Sequence, residues 1–127
     1  MANNTITFST DSNAAYGVNL TILQGADFSS TFKVRQENKS DFNLTSYSLY
    51  AKMKKSVAIG ASTGGIQSFT TGITSVTGGE FTISLTDTIT KDLKPGRYYF
   101  DINAVKSSTV YKMVSGNVVV EGGLPVS

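Results

Sequence analysis

Hydrophobic and polar residues alternate along most of the chain from Val18 onward. The alternation is strictest at Phe81, Ile83 and Leu85, each of which is followed by a polar residue. A period of two is typical of β-strands that turn one face toward a core and the other toward solvent. The pattern therefore predicts strands, separated by turn-forming residues, at 18–22, 28–34, 47–53, 66–76, 81–85, 98–104 and 110–120.

The segment at residues 86–94 departs from this alternation. Its apolar residues Ile89 and Leu93 are four positions apart, a spacing that places both on one face of a short helical turn. Pro95 cannot continue a helix and Gly96 tolerates the turn that follows, so the helical turn is predicted to end there. A strand, a helical turn and a second strand in this order predict a crossover between two sheets.

The complete pattern predicts an all-β fold: an antiparallel β-sandwich of seven or eight strands, with the one helical turn near residues 86–94. Each predicted strand has one apolar and one polar face, as two antiparallel sheets packed face to face require. Gly116, within the last predicted strand, is the expected site of a β-bulge. The predicted organisation is an extended N-terminal arm at 1–17, the sandwich at 18–120 and a C-terminal tail at 121–127.

The predicted arm is rich in asparagine, serine and threonine, with Ile6 and Phe8 at strand alternation. These two side chains could anchor the arm to the edge of a neighbouring molecule's sheet. A partly ordered terminus explains the same composition equally well. On the first interpretation, deletion of residues 1–17 leaves the domain folded and weakens its assembly.

The composition argues against an enzyme. The 127 residues include no histidine and no cysteine, which removes the commonest general base, the thiolate nucleophile and thiolate metal ligands. The pattern G-x-S-x-G occurs at 60–64, but a serine nucleophile needs a base to accept its proton, so this segment is interpreted as a flexible loop. We expect no catalytic residue, no cofactor and no metal.

Charge and hydropathy limit the partners. A formal net charge of +2, without a basic stripe, does not predict binding to nucleic acid. No apolar run approaches the roughly 20 residues that cross a bilayer, and the first residues lack the pattern of a signal peptide, so no membrane association is expected.

Candidate partner-binding residues lie on the polar rows of the predicted strands. Lys52 and Lys54 share one face beside Tyr50, which suits an acidic partner, a solvated face or a strand edge guarded against aggregation. Tyr99 and Tyr111 also fall on rows opposite their aliphatic neighbours. Exposed tyrosines serve protein interfaces and glycan sites alike, and coverage by loops would instead make them ordinary packing residues. With the two arm residues, these are the candidate partner-binding residues: Ile6, Phe8, Tyr50, Lys52, Lys54, Tyr99 and Tyr111.

Six short strings carry a family resemblance through their order and spacing: LTILQG at 20–25, FNLTSY at 42–47, AKMKKS at 51–56, EFTISL at 80–85, LKPGRYYFDI at 93–102 and GNVVV at 116–120. This succession resembles small tailed-phage virion proteins with an immunoglobulin-like fold, including the N-terminal domain of phage baseplate upper proteins. Two departures from the family pattern are Ala26, inserted before the acidic residue Asp27, and Ser46, which replaces the usual glycine before Tyr47.

The resemblance implies a structural role in a virion rather than a reaction. Such domains dock on or decorate the capsid, neck, tail or baseplate, so the implied partners are other virion proteins, with a second copy of the chain as a further candidate. The implied location is the virion, assembled in the host cytoplasm. A module that binds glycans of the host surface through its tyrosines is the alternative.

Overall fold

The computed structural model describes residues 3–9, 15–55 and 66–122. Within these residues, nine strands and one short helix follow one another along the chain. Their bounds are β1 (Asn3–Thr7), β2 (Tyr16–Leu23), β3 (Phe28–Arg35), β4 (Ser48–Lys55), β5 (Ile66–Ser68), β6 (Thr70–Ser75), β7 (Glu80–Leu85), α1 (Asp87–Thr90), β8 (Gly96–Lys106) and β9 (Thr109–Glu121).

The strands form two sheets that pack face to face. One sheet has four strands in the order β1-β3-β7-β6, and the other has five in the order β2-β9-β8-β4-β5. The apolar rows of both sheets meet in one core, where Phe32 and Phe81 stack with ring centroids 5.1 Å apart and are fully buried. The predicted all-β sandwich is confirmed.

Two strand pairings are parallel, so the sheets are mixed rather than antiparallel as predicted. Strand β1 runs parallel to β3, and β2 runs parallel to β9 from the pair Tyr16 and Val114 to the pair Leu23 and Glu121. Alternation shows which face of a strand is buried, but it carries no information on the direction of its neighbour. The described residues also contain nine strands instead of seven or eight, partly because β1 belongs to the sandwich.

The N-terminal strand β1 corrects the prediction of an arm. Ile6 is fully buried, and Phe8 just after the strand is 6% exposed, with its ring 5.1 Å from that of Phe42. The alternation at these residues was interpreted as an anchor for a neighbouring molecule, but it fits the edge of the chain's own sheet beside β3. Residues 3–9 are therefore part of the sandwich, and Ile6 and Phe8 are core residues rather than surface contacts.

The segment predicted as one strand at 66–76 divides between the two sheets. Its first part, β5, pairs with β4 in the five-stranded sheet, and its second part, β6, pairs with β7 in the four-stranded sheet. Phe69 lies between them, buried, with its backbone N–H donating to the carbonyl oxygen of Ala51 at 2.9 Å. This segment closes one side of the sandwich.

The helical turn and the crossover are confirmed. The helix α1 connects β7 of the four-stranded sheet to β8 of the five-stranded sheet. Thr86, at the N-cap position, makes no side-chain cap. The first backbone N–H of the helix, at Asp87, donates instead to Oδ1 of Asp27 at 2.7 Å. The hydroxyl of buried Thr90 donates to the carbonyl of Ala26 at 2.8 Å. The helix is thereby fixed to the turn between β2 and β3.

Candidate functional site

The two outer faces of the sandwich differ in chemistry. The outer face of the four-stranded sheet carries mostly small hydroxyl side chains, and its one central lysine, Lys33, is paired with Asp41 at 3.1 Å and Glu80 at 3.6 Å. The outer face of the five-stranded sheet carries large aromatic and basic side chains. We call the latter the tyrosine–lysine face and define it by Tyr50, Lys52, Lys54, Ile66, Arg97, Tyr99, Asp101, Asn103, Lys112 and Asn117.

Adjacent strands bring the predicted site residues together. On β4, Leu49, Ala51 and Met53 are buried, so the alternate residues Tyr50, Lys52 and Lys54 face outward. The register of β4 with β8 places Lys54 opposite Tyr99. Four of the seven candidate residues therefore share the tyrosine–lysine face.

The tyrosines of this face are accessible. Tyr50 is 53% exposed and Tyr99 is 60% exposed, and Ile66 on the adjoining strand is 65% exposed. Exposed aromatic side chains are suited to contacts with a partner because they bury a large apolar area with few rotatable bonds. The hypothesis that loops cover Tyr50 and Tyr99 does not hold among the residues that the structure describes.

The lysines of the face do not guard a sheet edge. Strand β4 pairs with β8 on one side and with β5 on the other, so Lys52 and Lys54 project from the interior of the sheet. The third lysine of the sequence cluster, Lys55, turns away: its Nζ donates to the carbonyl of Pro95 at 3.0 Å and lies 5.2 Å from the centroid of the Tyr98 ring.

Positive charge predominates on the tyrosine–lysine face. Lys112 donates to Oδ2 of Asp101 at 3.3 Å, and the other carboxylate on the outward side of this sheet, Glu121, lies at the end of β9. Within residues 3–9, 15–55 and 66–122, no ion pair to Lys52, Lys54 or Arg97 occurs. The segment at 56–65 that follows β4 contains no charged residue in its sequence.

Tyr111 does not belong to this face, and its predicted exposure is wrong. In the pairing of β8 with β9, Ile102 lies opposite Val114 and Asn103 lies opposite Lys112, so Met113 is an extra residue. The resulting bulge reverses the alternation, and Tyr111 packs with its ring 5.9 Å from that of Phe8. The bulge predicted at Gly116 is also misplaced, since Gly116 pairs regularly with Phe100.

The inward turn of Tyr111 creates an aromatic cluster at one end of the core. Tyr47 lies 6.3 Å from Tyr111 and 5.6 Å from Phe42 between ring centroids. Burial raises the pKa of Tyr47 above its ordinary value of 10.0, and the nearby Tyr111 hydroxyl raises it further. The partly buried rings of this cluster pack against the core and stabilise the fold.

Sequence reasoning missed several members of the face. Ile66 and Asn117 become neighbours of Lys54 and Tyr99 only through the order and register of the strands, whereas Arg97 lies on the same outward row of β8 as Tyr99. Beside Tyr99, a shallow depression is lined also by Asp101, Lys112 and Asn117. The depression offers an aromatic ring, charged groups and an amide for contact with a partner.

Two further properties of the described residues concern metal binding and membrane crossing. These residues contain no group of three or more carboxylates that could hold a metal ion. The one helix of the described ranges, α1, does not have the length or the apolar character needed to cross a membrane. The G-x-S-x-G pattern at 60–64 and the tail residues 123–127 lie outside the described residues.

Comparison with known proteins yields likeness in structure alone. No protein-family model matches the chain, and no curated protein matches it. The N-terminal domain of phage TP901-1 ORF48 is 13% identical and is similar over 95% of this chain and 99% of its own, with a TM-score of 0.47. InlP of Listeria monocytogenes is 15% identical over 94% of this chain, with a TM-score of 0.44. The chain spans 27% of the InlP chain. At these TM-scores neither likeness bears on function.

Proposed function

We propose that this protein is a non-enzymatic structural component of a bacteriophage virion, a docking or decorating module that binds other virion proteins. The observation that carries the proposal is the tyrosine–lysine face, on which Tyr50 and Tyr99 are both more than half exposed beside unpaired lysines. The resemblance of residues 18–120 to small tailed-phage virion proteins supplies the setting. The docking surface differs from the predicted arm, because Ile6 and Phe8 are buried.

The physical argument rests on the contrast between the two outer faces. Tyrosine is enriched where proteins bind one another, whereas serine is depleted there. The hydroxyl-rich face of the four-stranded sheet offers Ser29, Thr31 and Thr82, which bury little apolar area. A partner therefore gains more contact energy on the five-stranded sheet than on the four-stranded one.

The experiment is peptide mass spectrometry of virions purified from the phage that encodes this chain. The proposal expects the chain in washed particles at a constant copy number relative to the major capsid protein. Hundreds of copies would indicate decoration of the capsid, and a few to dozens would indicate the neck, tail or baseplate. Absence of the chain from particles that contain the other structural proteins would refute the proposal.

A second candidate function is the binding of glycans on the host surface. The depression beside Tyr99 favours it, because a carboxylate at Asp101 and an amide at Asn117 adjoin an exposed aromatic ring. A glycan array tests it: saturable binding that is lost in Tyr99→Ala and retained in Val76→Ala supports this function. Val76 is a control because it is 42% exposed between β6 and β7 and does not line the depression. An array without saturable binding rejects it.

A further inference from the structure

We infer that the partner of the tyrosine–lysine face presents carboxylates: an acidic segment of another virion protein binds across β4 and β8, with its side-chain carboxylates at Lys52 and Lys54. This inference rests on the proposed function and deepens it by assigning the chemistry of the partner. Three observations carry it: the unpaired cations, the spacing of the two lysines and the effect of symmetry.

The first observation is the charge of the face. Lys52, Lys54 and Arg97 project outward without an ion pair in the part of the chain that is described. Asp101, which lies opposite Lys52 in the register of β4 with β8, pairs instead with Lys112. On the outer face of the other sheet, Lys33 has two carboxylate partners, and Arg35 on the same row of β3 is the one cation of that face without an ion pair among the described residues. Unpaired cations concentrated on one face create a positive potential that attracts an acidic surface and repels a basic one.

The second observation is the spacing. Lys52 and Lys54 are two residues apart on one strand, which places their Cα atoms about 6.6–6.8 Å apart. An extended segment carries alternate side chains at the same spacing, so two carboxylates at positions i and i+2 can meet both ammonium groups. Tyr50 continues the row on β4, and Tyr99 lies opposite Lys54 on β8. The rings of Tyr50 and Tyr99 supply apolar contact beside the two ammonium groups.

The third observation concerns symmetry. Two copies of the chain that met through this face about a two-fold axis would place the same residues of both copies at one interface. Lys52 and Lys54 would then face a surface that is itself positive, and juxtaposed like charges are unfavourable. A nucleic acid is less suited as well, because binding to its backbone depends on many phosphate contacts and the chain's net charge is only +2.

The test uses assembled virions and a carbodiimide, which joins a lysine amine to a carboxylate in direct contact. We expect peptides in which Lys52 or Lys54 is linked to an aspartate or glutamate of a different virion protein. We also expect both lysines to resist acetylation in virions while they are acetylated in the free protein. Lys39 and Lys91, which are exposed outside this face, should be acetylated in both states.

A pair of variants with equal net charge provides the functional control. Lys52→Glu/Lys54→Glu should enter virions at least about tenfold less than the wild type, whereas Lys39→Glu/Lys91→Glu should enter normally. Lys52→Arg/Lys54→Arg keeps the charge and should also enter normally. Circular dichroism and thermal unfolding of each purified variant establish that the fold is retained.

The outcomes separate this inference from the proposed function. Virions that contain the chain with Lys52 and Lys54 fully acetylated refute the acidic partner and leave the virion role standing. Carbodiimide links from these lysines to a second copy of the chain also refute it. Virions without the chain refute both proposals.

Discussion

At Gly116 the strands β2 and β9 approach too closely for any side chain. A Cβ atom built there would collide with the carbonyl oxygen of Val18 and lie 3.2 Å from the ring of Phe100. Gly116→Ala should therefore force β2 away from β9 and lower the free energy of unfolding by about 1–3 kcal/mol, measured by urea denaturation. The control is Gly72→Ala on β6, where nothing lies within 4 Å of the added Cβ and the change should stay within about 0.5 kcal/mol. Equal effects of the two substitutions would contradict the close approach.

The raised pKa of Tyr47 gives the fold a defined dependence on alkaline pH. Burial, followed by the proximity of Tyr111, raises this pKa above the value of 10.0 that the unfolded chain retains. The unfolded state therefore loses its proton first, so the stabilising contribution of Tyr47 is complete below pH 10 and is lost as the pH rises through the folded-state pKa.

Tyr47→Phe removes this titration. The free energy of unfolding of the wild type should consequently fall, relative to that of the variant, between pH 9 and pH 11. Urea denaturation of both proteins across that range provides the measurement. A difference between the two proteins that stays constant with pH would show that Tyr47 titrates alike in both states.

Tyr111 shows why the side of a strand on which a single residue lies cannot always be predicted from alternation. Its neighbours along β9 alternate, and the alternation assigns it to the outer row. One extra residue, Met113, moves it to the core, because the bulge adds a residue without adding a pair. The sequence contains no local indication of this bulge. Gly116, where a bulge was predicted, is required for close packing instead. Tyr50 and Tyr99 were placed correctly because their strands β4 and β8 pair with each other without interruption.

Among the elements, β1 yields the largest difference from expectation. Ile6 is fully buried between the sheets, so Ile6→Ala should lower the free energy of unfolding by about 2–5 kcal/mol. Thr5→Ala, on the exposed side of the same strand, should change it by no more than about 0.5 kcal/mol. Urea denaturation measures both.

Deletion of residues 1–9 should likewise destabilise the domain, and a deletion variant as stable as the full chain would restore the interpretation of a detached arm.

The helix α1 depends on a cap from another element. Oδ1 of Asp27, in the turn between β2 and β3, accepts the backbone N–H of Asp87 at 2.7 Å. Asp27→Ala leaves that N–H without its partner and should cost about 1 kcal/mol of unfolding free energy. Asp27→Asn keeps an acceptor oxygen and should recover most of the loss. Thermal unfolding of the two variants and the wild type makes the comparison, and an Asp27→Ala variant as stable as the wild type would show that the cap contributes nothing.

Local pattern defined the elements better than their arrangement. The strict alternation at Phe81, Ile83 and Leu85 locates β7, and the predicted helical turn lies before Pro95–Gly96, although α1 itself already ends at Thr90. The partners of β1 and β2 could not be derived in this way, because each lies beside a strand that is distant in sequence and runs parallel to it. The alternation predicted the sandwich but not these pairings, and the immunoglobulin-like assignment, which rests on the resemblance to phage proteins, stays a prediction.

For the whole molecule, folding and assembly should depend on different residues. The double substitution Tyr50→Ser/Tyr99→Ser removes two exposed side chains and should leave the free energy of unfolding within about 0.5 kcal/mol per site of the wild type. Its incorporation into virions should fall, because exposed tyrosines contribute to binding and little to the core. Quantitative mass spectrometry of virions and urea denaturation give the two measurements. Unchanged incorporation would remove the tyrosines from the interface.

The candidate site was predictable in part. The rows of β4 and β8 identify Tyr50, Lys52, Lys54 and Tyr99, since outward-facing residues follow from alternation alone. That they form one surface follows only from the pairing of β4 with β8, which brings together residues about 45 positions apart. The unpaired state of the lysines likewise depends on which carboxylates the fold places nearby.

The parallel pairing of β2 with β9 has a mechanical consequence. Tension applied between Tyr16 and Glu121 pulls two parallel strands in opposite directions along their length, because these residues lie at opposite ends of the ladder. The hydrogen bonds are then loaded in shear, all together, whereas an antiparallel hairpin pulled at its open end would unzip one bond at a time. A chain held at these two residues resists extension through all eight residue pairs of the β2–β9 ladder.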